Sequence, residues 1–150
     1  QQDHPAATVA DFCTAVLSYP HMDENHQDRI VYALQQLRHL TPEAAEMLAT
    51  RALSVSPAAA PDRINLDDDA RRRLNALKAL TAAGPMAASV ADRLSPLLTS
   101  SDRQVRLSTL GFLGETGDPN HLGVIRPLTS DPSIMVRIEA TRYVSILSNQ

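Results

Sequence analysis

The sequence predicts an all-α fold, a right-handed α-solenoid of antiparallel helix pairs with about seven helices. Residues 96 to 113, PLLTSSDRQVRLSTLGFL, return as residues 127 to 144, PLTSDPSIMVRIEATRYV. Pro96, Val105 and Arg106 recur as Pro127, Val136 and Arg137, an offset of 31 residues in each case. A fixed period of this length is typical of stacked units that bury their apolar faces against one another. The apolar residues also recur at helical spacing, and no long alternating strand is visible.

Composition favours packed helices and narrows the classes of partner. The chain has 150 residues, of which 43% are hydrophobic, with two Phe, three Tyr and no Trp. Leu, Ala, Val and Ile must therefore form the core, as they do in helical proteins. The 14 basic residues are dispersed among 17 acidic ones, so no nucleic-acid partner is expected. No apolar run approaches the roughly 18 residues that a membrane span needs, so no membrane insertion is expected.

Helix boundaries follow from the apolar stripes and from residues that start or stop helices. We expect Thr8 to cap the first helix and Thr41 to cap the third, with Pro42 in its first turn. Gly84 and Gly117 are expected to end helices. The apolar stripes cover eight stretches, against the predicted count of about seven helices: residues 8 to 18, 30 to 40, 42 to 53, 67 to 80, 90 to 98, 105 to 113, 122 to 128 and 136 to 147.

Residues 1 to 150 are predicted to form one helical domain, which suits a chain of this length. Residues 8 to 54 form its irregular N-terminal helices. Residues 54 to 66 contain two prolines that interrupt the helical pattern, and they read as a linker or extended loop. Residues 67 to 150 hold the regular repeats.

Residues 67 to 147 resemble HEAT repeats, in particular the short variety first noticed in phycobilisome lyases. The motifs that carry the resemblance are Asp102 before Val105-Arg106, Asp131 before Val136-Arg137, and the turn Gly117-Asp118-Pro119. An earlier copy, DDDARRRLNALKAL, places Arg73 at the corresponding position. The resemblance implies that Asp and Arg form ladders between neighbouring repeats. Arg73, Arg106 and Arg137 are therefore expected to be structural rather than anion-binding.

Four potential ligands of a divalent metal share one short segment: His21, Asp23, Glu24 and His26. Their spacing matches no helix-borne zinc motif and no cysteine joins them. The segment is expected to be a solvated loop that enters a helix, with Asp23 or Asn25 as the cap. No metal site and no cofactor are predicted.

The remaining reactive groups also favour structural roles. Cys13 has apolar neighbours at helical spacing and is expected to be a buried thiol. Asp67, Asp68 and Asp69 lack the ligand pattern of a calcium loop and are expected to complement a helix N-terminus. No serine lies in a nucleophile elbow, so no catalytic residue is predicted and the chain is not expected to be an enzyme.

The function expected of such a fold is non-enzymatic binding of a protein or peptide on the concave face, as an adaptor or scaffold. The second helix of each predicted pair carries side chains of both charge signs, which favours a polypeptide over a polyanion as the binding partner. Two alternatives stay open: an exported inhibitor or immunity protein that neutralises a toxin or enzyme, and a HEAT-like lyase-type enzyme. The sequence does not decide between a cytoplasmic and a periplasmic location. The predicted partner-binding residues are Glu46, Thr50, Arg51, Asp92, Arg93, His121 and Arg126.

Overall fold

A computed structural model describes residues 5–17, 24–53 and 66–149, and every regular element in these ranges is helical. The predicted all-α class is confirmed for this part of the chain. The α-helices are α1 (Pro5–Leu17), α2 (Glu24–Leu37), α3 (Pro42–Leu53), α4 (Leu66–Ala83), α5 (Ala91–Leu94), α6 (Arg103–Glu115), α7 (Leu122–Ile125) and α8 (Ile134–Ser148). Turns of 3-10 helix flank α5 at Gly84–Val90 and Ser95–Thr99, and α7 at Pro119–His121 and Arg126–Ser130.

Two stretches, residues 84–99 and 119–130, return the chain between long helices and are called the return segments below. Each contains one turn of α-helix between two turns of 3-10 helix. Proline lacks a backbone N–H and clashes with the preceding turn, so a continuous α-helical ladder cannot pass through it. A proline stands at the first or second position of each of the four 3-10 segments: Pro85, Pro96, Pro119 and Pro127.

Several predicted helix ends are confirmed. Thr41 caps α3, because its Oγ1 accepts a hydrogen bond from the N–H of Ala44 at 3.1 Å, and Pro42 opens the helix. Gly84 and Gly117 follow α4 and α6 with φ of 57° and 75°. This left-handed conformation ends helices and suits glycine, which has no Cβ.

One predicted cap is wrong. Thr8 lies inside α1, which already begins at Pro5, because proline is well tolerated in a first helical turn. Of the two alternatives for the cap of α2, Asn25 lies inside the helix, which begins at Glu24. Asp23, the other predicted cap, lies outside the described residues, as do His21 and residues 54 to 65 of the predicted linker.

The helices from α2 to α8 pack in two rows. The first row consists of α2, α4, α6 and α8, each of which packs against the next. The second row consists of α3 and the two return segments, which pack against the first row. Burial of apolar side chains between the rows supplies about 1.5–3 kcal/mol for each large residue. Fully buried members include Leu34, Leu77, Leu80, Leu110, Phe112 and Leu113 from the first row, and Leu48, Leu94 and Ile125 from the second.

The N-terminal helix α1 packs against α2 and α3. Cys13 is buried there, as predicted, and desolvation raises the pKa of its thiol. A neutral thiol of this kind contributes as a small apolar side chain. None of the described helices is both long enough and apolar enough to span a membrane.

Candidate partner-binding surfaces

An arginine–aspartate contact joins the two 31-residue repeats. Arg106 on α6 donates from Nε to Asp131 Oδ2 at 2.8 Å and from Nη2 to Asp131 Oδ1 at 2.9 Å. The carboxylate is 4% exposed, and its hydrogen bonds from Arg106 are the main reason that the pKa of Asp131 is lowered. A bidentate pair of this kind is a structural contact. Arg106 therefore has a structural role, as predicted.

Three of the predicted partner-binding residues form one cluster on the second row. Arg93 donates from Nη1 to Glu46 Oε2 and from Nη2 to Thr50 Oγ1, the latter at 3.2 Å. All three side chains are exposed, so the cluster links α3 to α5 on the solvent side. Asp92 and Arg126 are exposed as well. All five side chains are therefore accessible to a partner.

Arg51 lies elsewhere and ties helices together. Its Nη2 donates to Asp28 Oδ1 and its Nη1 to Gln27 Oε1, both at 2.7 Å. Asp28 also lies near Arg71 and Arg72, with N···O distances of 3.6 and 3.5 Å. Arg51 therefore holds α3 against α2 and adds little to an exposed surface.

His121 is only 7% exposed. Its Nδ1 lies 3.1 Å from Thr116 Oγ1 and 3.3 Å from the carbonyl oxygen of Leu113, so the ring closes the turn after α6. Helical spacing did not indicate this, because the return segment begins as a 3-10 turn at Pro119–His121. A regular α-helix would orient position 121 differently.

An apolar cleft of about 270 Å³ opens between the two return segments. Val124 at its edge is 41% exposed, and Arg93 and Arg126 lie close to it in sequence. We call the cleft and the five exposed residues described above the return face. Sequence spacing did not reveal the cleft, since it depends on how the two segments pack. Its lining residues are Ser95, Leu98, Thr99, Gly123, Val124, Pro127 and Leu128.

A larger and more polar groove of about 520 Å³ crosses the first row. Small residues on α4 and α6 leave room for it, and amide, hydroxyl and charged groups line it. We call it the first-row groove. Its lining residues are Gln35, Gln36, Arg38, Lys78, Thr81, Ala82, Ser108, Gly111 and Glu115.

Most of the segment of potential metal ligands lies outside the described side chains. His26 is exposed on α2, and among the residues that the structure describes no three His, Cys, Asp or Glu side chains are grouped to hold a metal ion. In comparisons with known proteins, no family model, no curated protein and no solved structure matches this chain.

Proposed function

We propose that this chain is a HEAT-like α-solenoid that acts as a non-enzymatic protein-binding module, an adaptor or scaffold that takes a protein or peptide on the return face. One observation carries the proposal: an apolar cleft is open to solvent between two adjacent return segments that both carry exposed charged side chains. Clefts with apolar floors and polar rims are where proteins hold the anchor side chains of their partners.

The cleft supplies the anchor site. Leu98, Leu128 and Pro127 provide apolar lining, and the exposed side chain of Val124 stands beside them. Gly123 also lines the cleft and adds no side chain to it. At about 270 Å³ the cleft lies at the lower end of the roughly 300–1,000 Å³ that small-molecule sites occupy, and its mainly apolar lining suits an apolar side chain of a partner.

The charges on the return face supply orientation. Arg93 is held by Glu46 and Thr50, so its guanidinium is oriented before a partner arrives. Asp92 and Arg126 add one charge of each sign. A surface of mixed sign matches the side chains of a polypeptide, whereas a polyanion requires a surface of one sign.

The inhibitor alternative uses the same surface with a toxin or enzyme as the partner, and the same experiment addresses it. An enzymatic role has less support in the described residues. The lining of the first-row groove contains neither His nor Cys and only one carboxylate, that of Glu115, and this carboxylate accepts a hydrogen bond from Tyr143 Oη at 2.9 Å. The carboxylate of Glu115 is therefore engaged in a contact between α6 and α8, and the remaining side chain of this lining suited to proton transfer is Lys78.

The test is charge reversal on the return face. Replacing Arg93→Glu and Arg126→Glu together is expected to weaken binding of a captured partner by several kcal/mol, because reversal adds repulsion to the lost attraction. Both side chains are exposed, so the denaturation midpoint should change little. Calorimetry of the purified complex gives the affinity.

The matched control reverses the same number of charges on the first row, with Lys78→Glu and Arg103→Glu, both exposed. The proposal requires this variant to bind the partner as the native chain does. Undiminished binding by the return-face variant, together with loss in the control, would assign the partner to the first-row groove instead.

A further inference from the structure

Arg38 follows α2 in a backbone conformation that is unfavourable for a residue with a side chain. Its φ is 53°, and it is the only non-glycine residue in the described part of the chain with a positive φ. The next two helices of the first row are followed by Gly84 and Gly117, with φ of 57° and 75°. Glycine adopts this left-handed conformation without the clash that a Cβ introduces. The chain therefore keeps an arginine, at a cost in stability, where its next two helices use glycine.

The side chain of Arg38 lines the first-row groove together with that of Lys78 on α4. Both side chains are exposed, and neither forms a hydrogen bond or an ion pair with another residue of the described part of the chain. The only carboxylate in the lining is that of Glu115, and its Oε1 accepts a hydrogen bond from Tyr143 Oη at 2.9 Å. The groove therefore combines two cations without a partner and one carboxylate that has a partner.

Short side chains on α6 make room beside these cations. Ser108 and Gly111 line the groove on this helix. The equivalent positions of α8, 31 residues later, hold Glu139 and Arg142, which form an ion pair at 2.8 Å. The repeat thus accommodates long charged side chains at these positions. The groove is accordingly a feature of α4 and α6 and not of the repeat itself.

The lining of the groove suits a small polar solute better than a protein. None of the large apolar side chains that are exposed in the described structure lines it, whereas protein interfaces have apolar anchors at their centres. Its volume of about 520 Å³ lies within the roughly 300–1,000 Å³ that small-molecule sites occupy. Arginine and lysine both bind phosphate and carboxylate groups.

We infer that the first-row groove binds a small organic anion whose phosphate or carboxylate group contacts Arg38 and Lys78. Gln35 and Gln36 on the α2 side donate from their amides to other acceptor atoms of the ligand, and the hydroxyl of Ser108 contacts it from α6. The described helices α2 and α6 border the site on either side of α4. The site lies on the first row and is independent of protein binding on the return face.

Titration of the ¹⁵N-labelled chain, followed by two-dimensional NMR, tests this inference. The probes are sodium phosphate and sodium citrate, each compared with sodium chloride at equal ionic strength, and the backbone amides of Thr81 and Gly111 report on the groove. The variant Arg38→Gly removes the guanidinium and relieves the left-handed conformation. The matched control is Arg29→Gln, since Arg29 is an exposed arginine on the same helix and does not line the groove.

We expect at least one of the two anions to shift both amides saturably. Arg38→Gly should weaken this binding by about tenfold or more, because it removes a charged hydrogen-bond donor, whereas Arg29→Gln should leave it unchanged. The urea midpoint of Arg38→Gly should not fall below that of the native chain, because glycine suits the left-handed conformation.

Two results would overturn the inference. If neither anion gives saturable shifts, or if both variants lose affinity equally, the groove attracts an adventitious ion only. If Arg38→Gly binds the anion as the native chain does and has a lower urea midpoint, Arg38 stabilises the end of α2 and does not bind a ligand.

Discussion

Asp131 has two structural roles, whereas Ser100, its counterpart one repeat earlier, has only one of them. Its Oδ1 accepts a hydrogen bond from the N–H of Ser133 at 2.8 Å, which shapes the turn before α8. Ser100, the equivalent residue, shapes its own turn in the same way, since its Oγ accepts from the N–H of Asp102 at 3.2 Å. Only the carboxylate of Asp131 also binds the guanidinium of Arg106. The turn can form without a charge at this position, so the contribution of the carboxylate can be tested separately from that of the turn.

The pH dependence of stability tests this contact. The pKa of Asp131 is lower in the folded chain than its ordinary value, chiefly because of its hydrogen bonds from Arg106. The contact therefore contributes its full stability above the unfolded pKa of about 3.9 and loses it as the pH falls through the lower folded pKa. We expect the urea midpoint of the native chain to exceed that of Asp131→Asn at pH 7, and the difference to shrink progressively below about pH 4. An equal difference between the two proteins at pH 7 and at pH 2 would contradict the role given to the charge.

The local roles of these residues could be predicted from the sequence to different extents. Thr41-Pro42 and Gly117 have local chemistry that specifies a cap and a stop, and both were predicted. The ladder implied by the resemblance predicts that arginine and aspartate pair between repeats. It does not specify that the partner of Arg106 is Asp131, which lies in the turn before α8. The burial of His121 could not be predicted, because it depends on a 3-10 turn that brings the ring back against Thr116.

At the scale of elements, the contact between α6 and α8 depends on close approach at one glycine. The ring of Tyr143 lies against Gly114, and its hydroxyl donates to Glu115 Oε1 at 2.9 Å. The pKa of Tyr143 is raised to about 12, mainly by desolvation and secondly by the hydrogen bond to Glu115. The ring is buried and held at its far end, so it has little freedom to move away.

Two glycine substitutions on the same helix separate packing from helix propensity. Gly114→Ala should destabilise the chain by about 1–3 kcal/mol, because the added methyl group overlaps the Tyr143 ring. Gly111→Ala is the matched control: a Cβ there meets nothing within 4 Å, so alanine should stabilise the helix by about 0.5–1 kcal/mol. Urea unfolding measures both changes. Equal stability of the two variants would show that α8 does not pack as closely on α6 as the structure has it.

The return segments show what helical periodicity omits. The sequence placed helices at residues 90 to 98 and 122 to 128, and the chain is helical there. The prolines convert much of each segment to 3-10 turns, which changes the direction of every side chain. Glu46, Thr50 and Arg93, which the sequence assigned to one surface, are in contact, whereas the cleft beside Val124 depends on how the two return segments pack.

At the scale of the whole molecule, the two rows give the chain different surfaces. The second row presents the return face, with an apolar cleft and charges of both signs. The first row presents a broader polar groove. The 31-residue period specifies that helices stack, but it does not specify which surface a partner uses. That choice depends on side chains between the repeated positions.

Site-specific photocrosslinking in extracts of the source cell tests the choice of surface most directly. A benzoylphenylalanine is placed at Val124 in the return-face cleft, and, in a second protein, at Gln36 in the first-row groove. We predict a covalent adduct with a discrete polypeptide from position 124, none from position 36, and loss of the adduct when Arg93→Glu and Arg126→Glu are added. An adduct from position 36 alone, or an adduct from position 124 that persists after the charge reversal, would contradict the proposed binding of a protein partner on the return face.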